Sequence, residues 1–461
     1  MSDTVQSTEP IESQEQSGFG VPGQDGELEN PRPTSEPRPL STALGAKLKS
    51  SLGYVGAKAT AFLLPLLLVR LMSISVYGVY EYALAWATPL SMMLLFGAGA
   101  SAPYFLIKQN RPHYRSIFHL YCATLALVVV AGSALWAAHL VNLTVYLSFV
   151  TTIAFTSQTV YASLFRTDGH PALTSLAETG GYVVLFVVVL LLLPFRIYPQ
   201  LGWIGAVIAL YSVALGIDSL RRLRKEGLNF DVKAATKALV HYGIPFMGSA
   251  LLISALITSG RLLAGNLVSM SALGEYGFYF RMTSALLLIH QLITNLFFLR
   301  IYRFGRRGLD LYFASLISVI LLAGATLFWL GPYTLGRFVP LMKFATRDQR
   351  ELFLVLSVQA TYWAATSMLE IPMGRENLAR RQLFAVACSV TLLLAVVFTV
   401  RALHMLTLLR LAQICMTSIF GFFLAQCAIL WIHKIRLRFV PILGTTIYVA
   451  YFFFDRLLLA R

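Results

Sequence analysis

The sequence predicts an all-α polytopic membrane protein with about 12 transmembrane helices, because of its composition, its recurring apolar runs and an internal repeat. Of its 461 residues, 57% are hydrophobic and only 13% are charged, and the mean hydropathy is +0.69. Soluble globular domains carry about 25% charged residues. The composition therefore excludes a soluble domain and places the chain in a membrane.

Apolar runs long enough to cross a bilayer recur from about residue 51 to the C-terminus. A membrane-spanning helix needs roughly 20 such residues. The predicted spans are centred near residues 61, 93, 128, 154, 185, 210, 252, 287, 320, 362, 392 and 419. A further apolar segment at 439–454 is short for a span, so it could either cross the membrane or lie at its surface.

The first 45 residues differ from the rest of the chain. They are rich in Ser, Glu, Pro, Gly and Gln, and they carry eight acids against two bases. Such a segment cannot bury a core, and it lacks the basic start and apolar run of a secretory signal. We expect a disordered acidic tail. The four cysteines fall within apolar spans, so no disulfide or metal framework is expected.

Lysine and arginine are distributed unequally between alternate connecting segments. One set contains 20 of these residues and the other contains eight. Because cytoplasmic loops carry the excess of Lys and Arg, the N-terminus is predicted to be cytoplasmic.

A short pattern occurs twice, as "RLMSISVYGVYEYA" at 70–83 and "NLVSMSALGEYGFY" at 266–279. Leu71, Ser73, Ser75, Gly78 and Tyr80 match Leu267, Ser269, Ser271, Gly274 and Tyr276. The two copies follow the first and seventh predicted spans and so lie on the same face of the membrane. This predicts two parallel halves of six helices each. The serines suit helix N-caps and the glycines suit close helix packing, so a structural role is favoured over substrate contact.

The predicted organisation has five parts. They are a tail at 1–45, an N-terminal six-helix bundle at 46–220, a basic cytoplasmic connector at 221–240, a C-terminal six-helix bundle at 241–432 and a basic C-terminal segment at 433–461.

Arg70 to Ser73 followed by Tyr77 to Tyr80 resembles the signature after the first helix of Wzx-type polysaccharide flippases of the MOP (MATE-like) superfamily. Residues 96–110 and 260–282 resemble two further stretches of that family. The chain departs from it at Ile74 and Ser75, where members commonly have proline and an acid. It also departs at Gly97 and Gly260, where an aspartate is common.

This resemblance implies a transporter in the bacterial inner membrane that flips undecaprenyl-pyrophosphate-linked oligosaccharide from the inner to the outer leaflet. The product would enter surface polysaccharide such as lipopolysaccharide or exopolysaccharide. The implied partners are the lipid-linked substrate, membrane lipids, a polysaccharide polymerase and chain-length proteins. No cofactor, metal, catalytic residue or nucleic acid is implied.

Ionisable residues within spans are the candidate functional residues, because charge is costly in a bilayer. A basic substrate cavity is predicted from Lys58, Arg261, Arg281, His290 and Arg410, and ion coupling from Glu178 and Glu370. The excess of bases favours phosphate-bearing cargo. Each residue also has a structural alternative, since Lys58 could snorkel, the other bases could anchor or bond helices, and Glu370 could pair with Arg375.

Two alternatives to a lipid-linked oligosaccharide flippase remain. A MATE-like, ion-coupled exporter of cationic drugs would share the two-bundle plan. A membrane-embedded glycosyltransferase or polysaccharide polymerase is less favoured, because such enzymes usually need acidic or histidine-bearing outer loops. The longest predicted outer loop, at 331–350, has one aspartate and no histidine.

Overall fold

The computed structural model describes residues 40–228, 231–288, 290, 306–337, 339–376 and 378–458. Over these ranges the regular structure is entirely helical. The described residues from Lys49 onward form one compact unit. The α-helices are α1 Leu40–Leu71, α2 Ile74–Leu94, α3 Ala98–Pro103, α4 Arg115–Ala137, α5 Leu143–Thr167, α6 Pro171–Leu192, α7 Leu201–Glu226, α8 Val232–Leu267, α9 Met270–Ser284, α10 Arg306–Thr334, α11 Arg347–Arg375, α12 Ala379–Ala402, α13 Leu408–Ile432 and α14 Phe439–Leu458.

Nine helices within the described ranges are both long enough and apolar enough to cross a bilayer. The chain is therefore a multi-pass membrane protein. The helices differ in how far neighbouring helices cover them. The most apolar window of α11 is 83% buried, whereas that of α12 is only 22% buried. Helix α11 thus lies inside the bundle and α12 lies at its periphery.

The predicted centre of the second span, near residue 93, is wrong. Helix α2 begins at Ile74 and ends at Leu94, so residue 93 is at its end. The helix is interrupted at Gly97, whose φ of 74° is a left-handed conformation that glycine adopts readily. The apolar composition continues through this break, and for that reason hydropathy did not locate it. The first repeat copy consequently lies in the opening turns of α2.

The eighth predicted span, centred near residue 287, lies only partly within the described residues. Helix α9 begins at Met270, immediately after the second repeat serine, and is described as far as Ser284. Most of the residues between 289 and 305 lie outside the described part. The helices also extend into the predicted connector, because α7 continues to Glu226 and α8 begins at Val232.

The structure bears on the predictions for the two ends of the chain to different extents. Most of the predicted N-terminal tail, residues 1–39, lies outside the described residues. Helix α1 begins at Leu40, inside the segment predicted as tail. The C-terminal segment whose role was open forms helix α14, whose apolar part, Phe439–Phe453, is shorter than the nine spans.

Helix α14 packs on the bundle through a buried carboxylate and aromatic rings. Asp310 of α10 accepts hydrogen bonds from the backbone N–H groups of Arg438, Phe439 and Val440, at 2.8, 3.0 and 3.0 Å. The rings of Phe420 and Tyr448 stack with their centroids 4.2 Å apart. Asp310 therefore satisfies the free donors at the start of α14 from a neighbouring helix.

Candidate functional site

The two repeat copies pack against each other where α2 crosses α9. A Cβ atom on Gly78 would lie 1.9 Å from the backbone oxygen of Met270. A Cβ atom on Gly274 would lie 2.2 Å from the backbone oxygen of Ile74. Ile74 and Met270 occupy equivalent positions of the repeat, so the contact is reciprocal. Only glycine at both positions permits this approach.

The other repeat residues support the same crossing. Ser73 Oγ accepts from the N–H of Val76 at 3.3 Å, and Ser269 Oγ accepts from the N–H of Ala272 at 3.0 Å. Both serines are therefore N-caps of their helices. Tyr80 and Tyr276 are buried beside the crossing. These contacts agree with the structural role that the sequence favours for the repeat.

A fully buried carboxylate lies just inside this crossing. Glu81 of α2 faces Arg261 of α8 and Arg281 of α9, with N–O distances of 3.3 and 3.1 Å. The hydroxyl of Tyr77 donates to Glu81 Oε1 at 2.7 Å. We call Glu81, Arg261, Arg281 and Tyr77 the Glu81 cluster. It joins α2 to the two helices that carry and precede the second repeat copy.

Two aromatic rings and a glycine, Gly277, also lie around the Glu81 cluster. The Arg261 guanidinium lies 4.5 Å from the ring centroid of Phe280, and that of Arg281 lies 5.8 Å from the centroid of Tyr182. Such contacts stabilise desolvated guanidinium groups. Gly277 occupies the repeat position equivalent to Glu81, and a Cβ there would lie 2.5 Å from Glu81 Cγ. The two repeat copies therefore make equivalent glycine contacts, but only the first copy has a charged residue, Glu81, at this position.

A second carboxylate is also held by two cations. Glu178 of α6 contacts Lys58 of α1 at 2.8 Å and Arg166 of α5 at 2.9 Å. We call Glu178, Lys58 and Arg166 the Glu178 cluster. Its side chains are 29%, 15% and 60% exposed, respectively, whereas those of Glu81, Arg261 and Arg281 are 0%, 6% and 19% exposed, so the Glu178 cluster is the more exposed of the two.

Tyr182 lies between the two clusters. It follows Glu178 by one turn of α6, which places both side chains on one face of the helix. Its hydroxyl oxygen accepts from Arg281 Nη1 at 3.5 Å. Tyr182 thus contacts the Glu81 cluster directly and lies one helical turn from Glu178 of the other cluster. Together the two clusters contain three of the five bases predicted to line the cavity and one of the two predicted coupling acids.

The remaining predicted residues lie elsewhere. Arg410, at the start of α13, donates to the backbone oxygen of Met405 at 2.8 Å and lines a cavity between α12 and α13. His290 is buried, but the residues on either side of it lie outside the described part. Glu370 is half-buried on α11, and the side chain of its predicted partner Arg375 is outside the described residues. These three residues are not members of either cluster.

Glu81 is not among the candidate residues predicted from the sequence. Since α2 and α9 begin directly after the repeat serines, Glu81 lies two turns and Arg281 three turns inside their helices. Comparing the copies would have given the signal, because glutamate in one copy replaces glycine in the other.

Within the described residues, no group of three or more His, Cys, Asp or Glu side chains could hold a metal ion. The charged groups in the two clusters can instead bind anions, since Lys and Arg side chains form strong hydrogen bonds with phosphate oxygens.

The family described as "Polysaccharide biosynthesis protein" matches residues 48–299, which is more than half of the chain. No curated protein matches this chain. An inward-facing multidrug resistance MATE family transporter of the MOP superfamily is 12% identical, with a TM-score of 0.48 over 85% of this chain and 96% of that chain. The eukaryotic MATE transporter AtDTX14 is 13% identical, with a TM-score of 0.43 over 87% of this chain and 95% of that chain.

Proposed function

Because the chain belongs to the polysaccharide biosynthesis protein family, we propose that it is a flippase for undecaprenyl-pyrophosphate-linked oligosaccharide. It would act in the bacterial inner membrane, with its N-terminus in the cytoplasm, and deliver the oligosaccharide to surface polysaccharide assembly. A polysaccharide polymerase and chain-length proteins would use the delivered product. In this proposal the protein moves its substrate and performs no chemistry on it.

The observation that carries the proposal is the charge of the two clusters. Each has one carboxylate between two cations, and the Glu81 cluster, which is the more buried of the two, has a net charge of +1 when Glu81, Arg261 and Arg281 are ionised. Uncompensated charge within a membrane is costly. A pyrophosphate group supplies the missing negative charge and accepts several hydrogen bonds from Lys and Arg. A cationic drug would instead add to the positive charge.

The Glu178 cluster is the proposed entry point for the pyrophosphate. Lys58 and Arg166 are partly exposed, and Arg166 lies in the last turn of α5, at the end that the charge distribution predicts to be cytoplasmic. In this proposal the phosphates displace Glu178 from its two partners. Tyr182 then offers a hydrogen bond on the way to Arg281.

The Glu81 cluster is the proposed closure on the opposite side of the membrane. It ties α2, of the proposed half 46–220, to α8 and α9, of the proposed half 241–432. With the glycine crossing of Gly78 and Gly274, it holds these helices together near their predicted outer ends. Alternating access would require these contacts to open while the pyrophosphate takes the place of Glu81 at Arg261 and Arg281.

The test is a leaflet-resolved measurement of polyprenyl-pyrophosphate oligosaccharide in cells with and without the gene. We expect the lipid-linked unit to accumulate on the cytoplasmic leaflet of the deletion strain. The double variant Lys58→Ala and Arg166→Ala should reproduce this accumulation at normal protein level. Arg224→Ala is the matched control, because Arg224 is an exposed arginine near the predicted cytoplasmic end of α7.

Normal outward delivery in the deletion strain would overturn the proposal. If that strain also shows altered resistance to cationic compounds, the result would favour the drug-export alternative.

A further inference from the structure

A groove between α12 and α13 is unrelated to either charged cluster. Its volume is about 940 Å³, and it is lined by these two helices alone. Much of its lining is apolar and exposed, since Phe384 is 73% exposed and Leu392 is 63% exposed. Both helices are membrane spans by length and composition. The groove therefore offers an apolar channel along the membrane rather than an aqueous pocket.

Basic side chains lie at both ends of this groove, with Arg410 alone at the predicted outer end and two arginines at the other. Arg380 and Arg381 occupy the first turn of α12, and both are exposed. Arg381 Nη1 contacts Nε2 of His433, which follows the last residue of α13. This is the end that the charge distribution predicts to be cytoplasmic. The lining thus combines a pair of arginines at the membrane surface with an apolar channel leading into the membrane.

We propose that this groove binds an anionic phospholipid of the surrounding bilayer. Its phosphate would contact Arg380 and Arg381, and one acyl chain would lie along Phe384 and Leu392 towards the opposite leaflet. Basic pockets between transmembrane helices on the cytoplasmic side are known binding places for anionic lipid headgroups. A zwitterionic lipid offers the same chains without the net negative charge, so the charge complementarity favours an anionic one.

The groove also has a vacant position at which the proposal can be tested without disturbing the fold. Gly421 of α13 lines the groove, and a Cβ atom placed on it would have no atom within 4 Å. A leucine there would project into the groove and exclude an acyl chain. Leu424, on the same helix but outside the groove lining, is exposed and provides a matched position for an enlarged side chain.

Cys388 provides a native reporter, because it is an exposed free thiol in the groove lining. The experiment measures its modification by N-ethylmaleimide in the purified full-length protein in detergent, with added phosphatidylglycerol or phosphatidylcholine. Peptide mass spectrometry separates Cys388 from Cys427, which is half-buried and outside the lining. We expect phosphatidylglycerol to protect Cys388 at much lower concentration than phosphatidylcholine, with Cys427 unaffected.

Substitutions separate the contribution of the arginine charges to lipid binding from that of the shape of the groove. Each arginine near an anionic headgroup contributes roughly fivefold in affinity, so Arg380→Gln with Arg381→Gln should raise the protective phosphatidylglycerol concentration by about thirtyfold. Gly421→Leu should abolish protection by either lipid, whereas Leu424→Phe should leave protection unchanged.

Three results would overturn the proposal. They are equal protection by both lipids, protection that the double arginine variant does not weaken, and protection by polyprenyl phosphate alone. The last would assign the groove to the carrier lipid instead. This thiol assay requires no transport, so its outcome and that of the leaflet measurement are independent.

Discussion

Each of the two charged clusters has one carboxylate and two cationic side chains, but the clusters differ in how far they are buried. Glu81 is fully buried and holds arginines of α8 and α9, which are far from it in sequence. Glu178 is 29% exposed and holds cations of α1 and α5. A buried ion pair is costly to break, because the remaining charge has no water to replace its partner. We therefore expect the Glu81 cluster to hold its helices together, and in the proposed mechanism it is the Glu178 cluster that exchanges its partners for a ligand.

The largest expected effect is on stability at Glu81. Glu81→Gln leaves Arg261 and Arg281 without a counter-charge and should reduce the free energy of unfolding by about 3–5 kcal/mol. Glu178→Gln, where solvent screens the charges, should cost about 1 kcal/mol or less. Thermal unfolding of the purified variants in detergent measures both. Equal losses of stability would contradict the distinction between the clusters.

The glycine crossing beside Glu81 comes next. Gly274→Val places side-chain atoms against the backbone oxygen of Ile74, which cannot move out of the way as a flexible side chain can. Separation of α2 and α9 should cost about 1–3 kcal/mol in the same unfolding measurement. The control is Gly421→Val on α13, where a Cβ meets no atom within 4 Å. If the two variants unfold alike, close packing of the repeat is not what stabilises the crossing.

A smaller effect on stability but a clear effect on transport is expected at the Glu178 cluster. Glu178→Gln removes the anion that competes with pyrophosphate for Lys58 and Arg166, so the substrate should bind but leave slowly. We expect a several-fold fall in outward delivery, measured by the leaflet assay, at unchanged protein level. Unchanged delivery in this variant would show that Glu178 takes no part in exchanging the ligand.

No effect on transport is expected at Asp310, a buried carboxylate outside both clusters that has backbone N–H groups instead of cations as its partners. Asp310→Asn keeps the size of the side chain and removes its charge. Loss of this capping interaction should cost about 1 kcal/mol. Hydrogen exchange at the first turns of α14 should become faster, while transport stays normal. Slower transport in this variant would extend the functional role of buried acids beyond the two clusters.

Several features were predictable from sequence because they depend on local composition and spacing. The helical membrane class follows from the apolar runs, and the family resemblance read from residues 70–80 is confirmed by the family match to residues 48–299. Asp218 contacts Arg222, four residues later on the same helix, at 2.7 Å. Neighbours one turn apart on a helix can be identified without knowing the fold.

The sequence by itself determined that this chain crosses a membrane, that it repeats one pattern twice, and that its spans contain more bases than acids. Only the tertiary structure decided which of those charges meet. Glu81 and Arg281 are 200 positions apart, and no periodicity links them. Their contact depends on how α2 crosses α9, and that crossing depends on Gly78 and Gly274 approaching each other's backbones. Local propensity sets where a helix begins, but the distance between two helices is set by the side chains that both contribute.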